Sequence, residues 1–104
     1  MDNSIKIRAT AKGGIADIKA LITHPMETGQ RKDPQTGKIV PAHFIKTVKA
    51  TVQGKPVLLA RWGGGISKNP YLAFKVEGAK AGDSVVVTWE DNRGQSGTGE
   101  AVIR

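Results

Sequence analysis

An antiparallel β-sandwich of about seven strands is the fold that this sequence predicts. Apolar and polar residues alternate with period two in successive short runs, as in half-buried strands. The 13 Gly and 5 Pro of the 104 residues punctuate those runs with tight connections and disfavour a helical bundle. No internal repeat and no low-complexity linker divides the chain, so residues 1–104 are expected to form one domain.

The first strand is read from Ile5, Ile7, Ala9 and Ala11, interleaved with Lys6, Arg8 and Thr10 and closed by Gly13 and Gly14. The second, Ile15 to Thr23, alternates through Ala16, Ile18, Ala20 and Ile22; the Ile18/Ile22 spacing also fits a helix, but the glycines and Pro25 favour a strand. From Pro25 to Pro41 the chain is mostly polar and rich in turn residues, a long loop with room for an internal hairpin around Asp33 to Lys38. His43 to Gln53 and Pro56 to Trp62 flank Gly54 and Lys55 and give the best hairpin signal. Tyr71 to Glu77 places Leu72, Phe74 and Val76 on one face, and Asp83 to Glu90 is the strongest strand, with Val on both faces. Asp91 to Gly94 turns the chain towards a last strand near Glu100 to Arg104. The expected core is Ile7, Ile18, Ile22, Phe44, Val48, Leu72, Phe74, Val85, Val87 and Trp89.

The formal charge of +7, from 16 Lys+Arg and 9 Asp+Glu, favours anionic partners. The cations are dispersed, which fits solvated strand faces better than a nucleic-acid tract. No apolar run reaches membrane-spanning length, and the start MDNSIKIRAT lacks the pattern of a secretory signal, so cytoplasmic residence is the default on residues alone. With no cysteine there is no thiol for covalent sulfur chemistry, metal ligation or a disulfide.

Catalysis has a thin repertoire here: no serine lies in a nucleophile-elbow context, so the chain is expected not to be an enzyme. Neither cofactor nor metal is expected, since His24 and His43 are the only histidines and Glu27 or Asp33 would join them only if folding brought them together. The segment Trp62 to Tyr71 resembles a phosphate loop only superficially: it lacks the Lys-Ser/Thr ending and precedes a strand. Its triplet Gly63, Gly64 and Gly65 costs backbone entropy, which implies positive dihedrals or close approach of another backbone. Phe44, Phe74 and Trp89 belong on apolar strand faces, whereas Trp62 and Tyr71 bound the glycine loop as candidate interface anchors.

Four segments, His24 to Asp33, Gly37 to Ile45, Trp62 to Phe74 and Gly82 to Gly94, together resemble the SoxZ family, the cysteine-free half of the SoxYZ sulfur carrier of thiosulfate oxidation. The resemblance implies an immunoglobulin-like sandwich and a non-catalytic subunit that binds SoxY, whose Cys-bearing arm it helps present to other Sox enzymes. The chain ends GEAVIR without such an arm, a departure from SoxY itself. The resemblance also implies a periplasmic location reached by co-export with SoxY; homodimerisation without SoxY is left open. Expected contact residues are Met26, Arg31, Trp62, Gly63, Gly64, Gly65, Lys68 and Tyr71. The competing reading is a basic nucleic-acid-binding sandwich, supported by charge alone.

Overall fold

The computed structural model describes residues 5–63 and 65–104. Its strands are β1 (Ile5–Lys12), β2 (Ile15–Ile22), β3 (Ile45–Val52), β4 (Lys55–Arg61), β5 (Tyr71–Glu77), β6 (Ser84–Asp91) and β7 (Ser96–Val102). They form a three-stranded sheet ordered β1-β2-β5 and a four-stranded sheet ordered β4-β3-β6-β7, antiparallel at every pairing. The expected all-β sandwich is therefore the fold. No helix among the described residues is long and apolar enough to cross a membrane.

The inner faces follow the alternation of the sequence. Ala16, Ile18, Ala20 and Ile22 of β2 meet Val48, Ala50 and Val52 of β3 and Val85, Val87 and Trp89 of β6 in a single apolar core. Each fully buried Ile or Val contributes about 1.5–3 kcal/mol relative to exposure. Four expected core residues, Ile7, Phe44, Leu72 and Phe74, are only half-buried, because they lie on outer strands or at a strand entrance where the second sheet covers them incompletely. The outer face of β6 is also more open than its valines suggested, with Thr88 exposed.

Two bulges reset the alternation. Ile45 pairs with Asp91 and Thr47 with Glu90, which leaves Lys46 as an extra residue and lets both Ile45 and Val48 point inwards. A second shift leaves Val57 extra on β4, so that Val57 and Leu58 are both half-buried.

The last strand begins at Ser96, well before the sequence expectation, because Gly97 and Gly99 hide it from a propensity reading. Gly99 has a packing reason: a Cβ there would stand 2.8 Å from Ile5 Cβ, so β7 approaches β1 only without a side chain. Gly99→Val is expected to cost about 1–3 kcal/mol through overpacking, read as a lower denaturation midpoint. An unchanged midpoint would show that β1 and β7 separate freely.

The β1 edge is closed by the C-terminal residue, since Arg104 N–H donates to the Ala9 carbonyl and Ala11 N–H to the Arg104 carbonyl, at 3.0 and 2.8 Å. On the opposite side, β5 and β4 each end their sheet with one strand neighbour. The sandwich is thus closed along one side and presents two strand edges along the other.

Candidate partner-binding end of the sandwich

The antiparallel order brings the β2–β3 connection, the β4–β5 connection and the β6–β7 turn to one end. The two segments singled out in the sequence meet there. His24 N–H donates to Asn69 Oδ1 at 3.1 Å, and Asn69 N–H donates to the His24 carbonyl at 3.0 Å. Asn69 holds this position with φ of +51°, which asparagine tolerates better than most side chains.

Beneath this tie lies a buried polar cluster of His24, His43 and Asp91. Asp91, fully buried at the end of β6, accepts through Oδ2 from Nε2 of His24 at 3.1 Å and of His43 at 2.8 Å. Its Oδ1 accepts from the backbone N–H groups of Arg93 and Gln95, at 3.0 and 2.8 Å, which shapes the β6–β7 turn. Burial pushes the Asp91 carboxyl up, but the hydrogen bonds from the two histidines and the two backbone groups outweigh it and hold the carboxyl below its ordinary range. The rings stack edge to face, His24 with His43 at 4.5 Å and with Trp89 at 5.0 Å.

The three ligand atoms lie within 4.8 Å of one another, close enough to surround a cation. The donor pattern is that of a proton network instead. Met26 N–H donates to His24 Nδ1 at 3.2 Å, so Nδ1 is the acceptor and Nε2 carries the proton given to Asp91. Binding a metal through Nε2 would place a proton on Nδ1, against that N–H. His43 Nε2 is likewise a donor, facing Asp91 Oδ2 and Gln95 Oε1. A His–Asp pair can orient a general base, but neither ring among the described residues is hydrogen-bonded to a serine or threonine hydroxyl.

The long loop is built outwards from this cluster. Glu27 and His43 exchange backbone hydrogen bonds at its base, and Lys32 pairs with Ile39 farther out, forming the expected internal hairpin around Asp33 to Lys38. Met26, expected as a contact, is only 5% exposed: its sulfur faces the Ile45 N–H at 3.4 Å, and its backbone adopts φ of +52°. It fixes the loop from within and has little surface to offer. Arg31 is exposed but grips Glu27 with two hydrogen bonds, at 2.9 and 2.6 Å, and this grip lowers the Glu27 pKa.

In the second loop Trp62 is half-buried against the core, and its backbone N–H donates to the Lys46 carbonyl at 2.8 Å. Tyr71 is 60% exposed, and Lys68 is exposed. Trp62, Ile66, Pro70, Tyr71 and Leu72 line an open groove of about 570 Å³ beside the β4 and β5 edges. The expectation for the glycines is corrected in part: Gly63 does not have positive φ, and a Cβ on Gly63 or Gly65 would meet nothing within 4 Å, so no close approach among the described residues accounts for them. Gly64 lies outside the described residues.

Residues 5–102 match the family model described as sulphur oxidation protein SoxZ. The chain belongs to the SoxZ family. That membership gives it a role in the Sox system of sulfur oxidation. A comparison with curated proteins finds no significant match. In this SoxZ-family chain the structure gathers Trp62, Gly63, Gly65 and Lys68 on one loop, with Tyr71 where that loop enters β5 and Arg31 on the neighbouring loop. Sequence reading missed Asp91 and Asn69, which join the loops; Asp91 looked like a turn residue, and its one signal was its place after a strong strand.

Proposed function

We propose that this chain is the non-catalytic half of a periplasmic SoxYZ carrier and binds SoxY through the end of the sandwich that carries the glycine loop. The observation that carries the reading is that packing among the described residues makes no demand for glycine at positions 63 and 65, where the space beyond each backbone is open. Glycine there costs entropy on folding, which backbone contact with another chain offsets. The groove between Trp62 and Tyr71 supplies an apolar pocket with aromatic walls, the type of feature that anchors interfaces. With no thiol of its own, the chain serves a carrier whose sulfur travels on the partner's cysteine. Co-export with SoxY brings the pair to the periplasm.

Isothermal titration with SoxY tests the assignment. Trp62→Ala is expected to weaken binding by about 2 kcal/mol or more if the ring is a central anchor. Lys68→Ala, at the rim, should chiefly slow association and reduce its salt dependence. Gly65→Ala is the sharper control, because the open space predicts an undisturbed fold together with weaker binding. Unchanged affinity in folded Trp62→Ala and Gly65→Ala variants would place the SoxY surface elsewhere.

A further inference from the structure

The outer face of the three-stranded sheet carries a charge arrangement that the sandwich itself does not call for. Lys6, Arg8, Lys12, Lys19 and Lys75 are exposed there, against Asp17 and Glu77. Register sorts these into rows. Asp17 faces Lys75, and Lys12 and Glu77 flank Ile15, but Arg8 stands directly opposite Lys19, with Ala73 next in the row. Like charges directly across a strand pair are destabilising. The ion pairs among the described residues all lie elsewhere, so none of them neutralises that row. The nearest acid along β2, Asp17, is shared with Lys75. By contrast, the outer face of the four-stranded sheet sets Lys46 at 4.0 Å from Glu90 and bonds Ser84 to Glu100.

We propose that this face, centred on Arg8 and Lys19, docks an acidic protein surface. An opposing carboxylate pair would turn the repulsive row into an attractive one, and Arg8 presents a fork suited to carboxylate. Leu21 and Tyr71 border the row in the groove shared with Lys6, Arg8 and Lys19, giving the contact an apolar margin. Asp17 and Glu77 favour protein over nucleic acid: a phosphate backbone laid across the face would meet both, whereas a mixed protein surface can place cations opposite them. The face adjoins the glycine-loop groove at Tyr71, but its centre, Arg8 and Lys19, lies outside the lining of that groove, so SoxY and a second partner can be held side by side. In this respect the inference rests on the carrier reading: the second partner is an enzyme that acts on the loaded complex, and weak electrostatic docking suits repeated encounter and release.

Two double variants test it, Arg8→Glu with Lys19→Glu and, on the other sheet, Lys49→Glu with Lys55→Glu; both change the net charge equally. The first pair also keeps like charges opposed, so its internal repulsion matches wild type. In a reconstituted Sox system at low ionic strength, the first pair is expected to raise the KM for the SoxYZ complex tenfold or more, converging on wild type as salt increases. The second pair should change it less than threefold. Equal effects of the two pairs, or no effect of the first, would overturn the proposal. So would loss of duplex DNA binding in the first pair with unchanged turnover, which would make the face a nucleic-acid surface. Calorimetry with SoxY separates the two readings: loss of SoxY affinity in the first pair makes this face the SoxY interface and rejects the inference, while absence of SoxY binding by wild type rejects the carrier reading. In that last case, NMR titration of the isolated chain with a Glu-rich peptide still reads the face. Shifts centred on Arg8 and Lys19 support acidic docking, and shifts spread evenly to Lys49 and Lys55 reject it.

Discussion

Asp91→Ala is expected to lower stability by about 3–5 kcal/mol, the largest effect of any polar substitution in this chain. The carboxylate is fully buried and accepts four hydrogen bonds, from His24, His43, Arg93 and Gln95. Removing it strands donors of both rings and of the turn backbone, and each buried orphan costs about 1–3 kcal/mol. Asp91→Asn keeps the shape but turns an NH2 towards one pair of donors, so it should recover only part of the loss. Because the folded Asp91 carboxyl is held below its ordinary range, its contribution is fully present above the unfolded value of about 3.9 and is lost as pH falls through the folded value. The stability gap between wild type and Asp91→Asn should therefore narrow below about pH 4. Urea denaturation at pH 7 and across the acid limb measures both, and a gap that stays constant through the acid limb would show that the charge on Asp91 is not what holds the loops.

That same cluster marks how far the sequence could be read. His24, His43 and Asp91 lie in three segments, and nothing in local spacing signals that two loop histidines share one carboxylate. Composition argued against a metal site, but the contact that disfavours coordination, Met26 N–H to His24 Nδ1, depends on a positive φ at Met26 that only the fold discloses. Met26 itself was misplaced for a related reason: a methionine in a polar loop looks exposed until the loop doubles back over Ile45. Trp62 and Tyr71 were legible as a pair because they bound the glycine segment, and the structure places both beside one groove.

For the fold, strands with clean alternation were readable, as β2, β5 and β6 show. Alternation failed where geometry departs from period two, at the Lys46 and Val57 bulges, and where side chains are absent from β7 at Gly97 and Gly99. The close approach of β1 selects glycine at position 99, and such a tertiary demand leaves no trace in β propensity.

The remaining large effect is expected in the core below the loops. Trp89→Ala should cost about 3–5 kcal/mol, whereas Phe74→Ala should cost clearly less, although the two aromatic residues look equivalent in sequence. Trp89 is 7% exposed on the inner face of β6, a central strand flanked by β3 and β7, and its ring also packs edge to face with His24. Truncation would leave a large cavity between sheets that β pairing prevents from collapsing, and would remove the wall against which His24 is oriented. Phe74 lies on the edge strand β5 and is half-buried, so solvent reaches part of the space its ring would vacate. Coupling separates the two losses further. Because Trp89 and Asp91 both hold His24, the double variant Trp89→Ala/Asp91→Ala should be less destabilised than the sum of the single effects, whereas Phe74→Ala/Asp91→Ala should be additive. Denaturation midpoints of the singles and doubles complete both cycles. Equal losses at Trp89 and Phe74, with additivity in both pairs, would mean that the aromatic core and the polar cluster are independent, and that Trp89 supports the loop end through bulk burial alone.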